Sequence, residues 1–159
     1  MIRLPNNKAV KDLLEGMLGK EVSLTAASKL SPVDGVGGLL ATYCDDAFKI
    51  KAVVAWSAEA ASYVGSALAL IPPVVAKEMA TERNIREDVI ENLTEVCNVM
   101  SSLFDHPTNP HVRMSGTYFP TAKAPQALAI FVFQHADRID FELSVEGYGV
   151  GRLSVVSVG

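Results

Sequence analysis

The stretch from Ile85 to Phe104 reads IREDVIENLTEVCNVMSSLF, and its apolar residues return at intervals of three and four: Val89, Ile90, Leu93, Val96, Cys97, Met100, Leu103 and Phe104. That period predicts a long helix with one apolar stripe turned toward a core. Asn84 and Glu87 stand as a cap and its third-position partner. The turn-rich run from Asp105 to Pro110 closes the helix. With about 100° between successive residues, Glu91, Glu95, Asn98 and Ser102 fall within an arc of roughly 60° opposite the stripe. They should point outward together. Amphipathicity alone would make that face ordinary solvated surface.

Before this helix, Val10, Leu13, Leu14, Met17 and Leu18 mark a first helix, with Asn6 or Asn7 to cap it and Gly19 placed for a left-handed end. Leu39 to Tyr43 and Phe48 to Trp56 read as strands joined through Cys44-Asp45-Asp46-Ala47, a hairpin. Ser57 is placed to cap a second helix, which must stop near Leu70 because Pro72 and Pro73 cannot continue it. Beyond the long helix, Ala127 to Phe133 and Ile139 to Glu146 are predicted strands. Gly147, Gly149 and Gly151 interrupt the pattern before a last β-like run, Leu153 to Val158. This mixed order predicts an α+β fold, a mainly antiparallel sheet with the long helices on one face.

A chain of 159 residues fits one domain spanning 1–159. It is 49% hydrophobic and 20% charged, a globular composition that excludes a wholly disordered chain. Its 14 basic residues are scattered and the net charge is -4, so no nucleic-acid or anionic-membrane footprint is present. The uncharged run Ala60 to Ala76 is broken by Pro72-Pro73 and diluted by serines and glycine, too interrupted to span a bilayer. The N-terminus turns polar at once, and a cytoplasmic, reduced protein is expected.

Other constellations are weaker. Cys44 and Cys97 form no metal-like pair, and buried free thiols are the expectation. Asp105, His106 and His111 lack a helical ligand face. The segments Gly35 to Gly38 and Gly147 to Gly151 match no phosphate loop, and no serine sits in a nucleophile elbow.

Glu95-Val-Cys-Asn98 on a long helix, with Pro120 twenty-two positions past the asparagine, resembles the E-x-x-N signature of the CheC/CheX/FliY family. The segment Trp56 to Val64 is similar to the strand end and helix start that CheX-like domains place before that helix, and Ile139 to Val145 resembles their closing strand. The resemblance extends from about Lys8 to Val145. Glu91 departs from the aspartate or serine favoured there, Cys97 from a frequent glycine, and the tail after Gly147 is longer.

The resemblance implies an aspartyl-phosphate phosphatase acting on a phosphorylated CheY-like receiver domain. It makes Glu95 and Asn98 the working pair, with Glu91, Ser102 and Pro120 as partner contacts. It implies no cofactor of the chain's own, since the receiver supplies its phospho-aspartate, lysine and Mg²⁺. The alternative is a non-catalytic CheX-like module that binds a response regulator or flagellar-switch component through the same helix. A homodimer is also expected, from the resemblance and from a β-prone tail able to pair at a sheet edge.

Overall fold

The computed structural model describes residues 2–35, 37–134 and 137–158. Six strands, β1 (Val22–Ala26), β2 (Leu39–Cys44), β3 (Ile50–Trp56), β4 (Arg113–Tyr118), β5 (Arg138–Val145) and β6 (Gly149–Ser157), form one sheet. Their order is β1-β5-β6-β3-β2-β4, with every neighbouring pair antiparallel. The fold is α+β, as its alternation of elements predicts.

One face carries α1 (Asn7–Leu18), α3 (Ala58–Leu68) and α5 (Glu87–Val99). Asn6 Oδ1 accepts from the amide of Ala9, and Gly19 ends α1 in the left-handed region at φ 64°. Ser57 caps α3 by accepting from Ala60 N–H, and the same Oγ accepts from Arg152 N–H of β6. α3 is small and apolar on almost every side because it is enclosed by the sheet, α5 and α4 (Pro73–Glu82). Among the described residues, no helix is long and apolar enough to cross a membrane.

The other face departs from expectation. Ala127 to Phe133, predicted as a strand, lies within helix α6 (Gln126–Gln134). A continuous apolar run fits either template. What decides is the pairing of Leu128 with Phe131 and Val132, at helical spacing, over Leu30, Leu40, Val53, Ala55 and Val156. Pro125 opens this helix, its carbonyl accepting from Ala129 N–H. A short helical turn, α2 (Pro32–Gly35), lies beside it: a Cβ on Gly35 would stand 2.5 Å from the Phe133 ring.

Two further readings are corrected. Asn84 does not cap α5, which starts at Glu87 with Arg86 in the cap position. Its N–H instead bonds back to Met79 O, while Arg83, left-handed at φ 55°, closes α4 through Ala80 O. The helix α4 thus consumes the residues assigned to the next cap. The glycine-rich tail is not at an edge either: β6 runs between β5 and β3, and the edges are β1 and β4. The route to a homodimer through that tail is therefore closed. Gly151 is required inside β6 because a Cβ there would lie 2.4 Å from the amide nitrogen of Ala60, where α3 begins.

The tip of the predicted β2–β3 hairpin carries one strained residue. Asp45 Oδ1 accepts from the amides of Ala47 and Lys49, which holds Phe48 at φ 61° with the residue 77% exposed. A left-handed conformation costs a residue with a Cβ about 1–2 kcal/mol, against which stands a weak cation–π contact with Arg113 at 5.5 Å. Phe48→Gly is expected to raise unfolding stability by up to about 1 kcal/mol, read as a higher urea midpoint. A lower midpoint would refute that balance.

Candidate functional site

The site is built on α5, whose placement is fixed from below. Val89, Leu93, Val96 and Met100 are fully buried, Cys97 with them, while Leu103 is half-buried. At Gly65 the helix α3 has no side chain, and a Cβ there would sit 2.4 Å from Val89 O. That vacancy lets the two helices approach closely. Asn92 Nδ2 donates to Gly65 O at 3.1 Å across the contact. Further along, Tyr43 Oη of β2 donates to the Cys97 carbonyl at 2.5 Å, and its ring stands 5.2 Å from that of Phe104. The helix is anchored immediately beneath Asn98.

Its outer face carries Glu91, Glu95 and Asn98, all exposed. Among the described residues, none of the three side chains makes a hydrogen bond or ion pair within the chain. Glu95 and Asn98, three residues apart, lie on one side of the helix at about 5–6 Å between Cβ atoms. An exposed carboxylate and an exposed amide, both without internal partners, can accept a cation and orient a water on the same small surface.

The other candidate contacts are arranged differently. After Val99 the chain tightens into a 3-10 turn, Met100–Phe104, and Ser102 Oγ donates to Val99 O at 2.9 Å. Ser102 is thus exposed beyond the end of the α-helix, with its hydroxyl engaged locally. Pro120 follows β4. The register pairs Tyr43 with Met114 and Leu40 with Tyr118, and Thr121 N–H donates to Gly38 O. The strand from Met114 to Tyr118 rises about 13 Å, and Pro120 lies beyond its end. Pro120 and the Tyr43-anchored turn of α5 therefore belong to opposite ends of β4.

One feature of this region was not legible as a site feature in the sequence. Val99, an apolar residue outside the stripe, is 37% exposed next to Asn98. Cys97, inside the E-x-x-N tetrapeptide, is wholly buried, and burial pushes its thiol up to about 12. It is an inert core group at neutral pH. Among the described residues, no three His, Cys, Asp or Glu side chains come together as a metal site.

No family model matches the chain, and no curated protein matches it. Solved structures do. FliY of Thermotoga maritima superposes with a TM-score of 0.54 at 14% identity, covering 93% of this chain and 82% of its own. FliM, from a FliM–SpeE complex of H. pylori, gives 0.65 at 8% identity, covering 94% and 80%. A structure of CheX with CheY, BeF3 and Mg²⁺ from Borrelia burgdorferi gives 0.54 at 16% identity, covering 94% and 92%. The chain has the fold of the CheC/CheX/FliY family.

Proposed function

We propose that this chain, built on the CheX and FliY fold, docks a phosphorylated CheY-like receiver domain against the exposed face of α5 and hydrolyses its aspartyl phosphate. One observation carries the reading: Glu95 and Asn98 stand exposed, three residues apart and unpaired among the described residues, on a helix locked from beneath. Such a pair has no work to do for the fold.

The chemistry asks little more of the catalyst. Phosphoryl transfer to water passes through a loose transition state, so placement of the water and stabilisation of charge dominate. The Asn98 amide oxygen accepts from the attacking water and sets it in line with phosphorus. As the new P–O bond forms, the bond to the aspartyl oxygen breaks. The aspartate leaves as carboxylate, and the water's proton departs with phosphate or to solvent. Mg²⁺ comes with the receiver, and Glu95 pairs with the receiver's lysine to hold the docked geometry.

A second reading, a non-catalytic module that binds a response regulator or flagellar-switch component through the same face, draws on the FliM superposition. Phosphate release from a panel of phosphorylated receiver domains, with this chain in catalytic amounts, separates the two. Accelerated release with turnover supports the phosphatase; stable binding without release supports the module. Glu95→Lys turns an attraction into a repulsion at the docking lysine and is expected to raise KM about tenfold or more. An unchanged KM would remove Glu95 from the docking role.

A further inference from the structure

We infer that Val99 is the apolar element of the α5 site, packing on the methylene stem of the receiver lysine that Glu95 pairs with. This rests on the phosphatase reading and adds a positioning residue to it. Residues i, i+3 and i+4 are neighbours on a helix surface. Counted from Glu95, they are Asn98 and Val99, so carboxylate, amide and isopropyl group form one triangle. A lysine presents a charged head on an apolar stem, and a carboxylate one helical turn from an isopropyl group matches both parts.

Isolated exposed valines are common on protein surfaces, so the position has to carry the argument. Among the described residues, Val99 is the exposed large hydrophobic that lies on α5; Phe48, Leu70, Val74, Ile130 and Val150 lie elsewhere. Its backbone is held on both sides. Tyr43 Oη bonds the Cys97 carbonyl, Ser102 Oγ bonds the Val99 carbonyl, and Met100 beside it is fully buried. The core beneath is closed without the Val99 side chain. Contact with the lysine stem is made before and during the reaction alike, so its loss falls on KM more than on kcat.

The test uses a receiver domain whose phosphate the parent chain releases, both phosphorylated and loaded with beryllofluoride and Mg²⁺. Val99→Ala and the isosteric Val99→Thr are expected to weaken binding of the beryllofluoride form and raise KM about three- to tenfold. Changes in kcat stay within about twofold, thermal midpoints match the parent, and Val99→Ile restores KM. Unchanged KM and affinity in both variants would overturn the inference, as would a lowered midpoint with unchanged KM, which marks a structural role. If Asn98→Ala keeps full turnover, or no receiver loses phosphate to the parent chain, the phosphatase reading itself falls and this one with it.

Discussion

Asn98→Ala is expected to lower kcat for phosphate release by about 10²-fold or more, the order of loss that follows when a reacting group is misplaced by about an ångström. Partner affinity and thermal midpoint should stay close to those of the parent. The separation follows from geometry. The Asn98 side chain is exposed and makes no hydrogen bond within the chain among the described residues, so its removal leaves no buried group unpaired. The contacts that hold α5, from Tyr43 Oη to Cys97 O and from Asn92 Nδ2 to Gly65 O, are untouched. Single-turnover assays on a phosphorylated receiver, with binding of its beryllofluoride form measured in parallel, give the two readouts. Glu82→Ala, exposed on α4, is the control and should change neither. Parent-like turnover by Asn98→Ala would leave the binding module as the better account.

The largest expected loss of stability lies on the opposite face of the sheet. Arg138 and Asp140 of β5 form a two-pronged ion pair, Nε to Oδ2 and Nη2 to Oδ1 at 2.9 Å each, with side chains only 4% and 8% exposed. Arg138 Nη1 also donates to Val132 O of α6, and Asp140 Oδ1 accepts from Ser154 Oγ and from Leu30 N–H. One buried pair thus ties α6 and the segment before α2 to the sheet. Asp140→Asn removes one charge of this buried pair and is expected to cost about 3–5 kcal/mol. The double substitution Arg138→Met with Asp140→Leu should recover most of that loss, because the desolvation of both charges disappears with them.

The same pair predicts a pH dependence. Burial pushes the Asp140 carboxyl up, but the hydrogen bonds and charge of Arg138, with Ser154 Oγ and Leu30 N–H, outweigh it and leave the group below the ordinary aspartate value. A depressed folded-state value means that this contribution is complete above about pH 4, the unfolded aspartate value, and is lost as pH falls through the folded one. Urea unfolding of the parent should therefore weaken in that acid window. The double variant should lack this part of the slope. Asp140→Asn as stable as the parent would refute the expected cost of breaking the pair.

The stripe of α5, the caps Asn6 and Ser57, the left-handed Gly19 and the β2–β3 hairpin were all readable from residue types and spacing. Each is decided by neighbours within a few positions of the chain: a side-chain oxygen meeting an amide three residues on, or apolar groups returning every third and fourth residue. The outward set of Glu91, Glu95 and Asn98 followed from the same period. β1 and β4 escaped notice for different reasons: VSLTA alternates but is only 5 residues long, and RMSGTY carries little apolar alternation. α4 hid behind its two prolines, although Pro73 at the first turn is a start signal as well as a stop.

What local spacing cannot contain is which surface a segment will find. The run from Ala127 to Phe133 satisfies a strand or a helix equally, and it is a helix because the face bearing Leu40, Val53 and Val156 needed a cover. The tail from Gly149 to Ser157 carries two glycine interruptions at its start yet becomes a central strand, since Gly151 lets the start of α3 lie against it. The position of Pro120 relative to Asn98 was likewise set by the register of β4 on β2, a pairing between residues more than seventy positions apart. Burial and long-range register are properties of two surfaces meeting, and a single strip of sequence specifies only one of them.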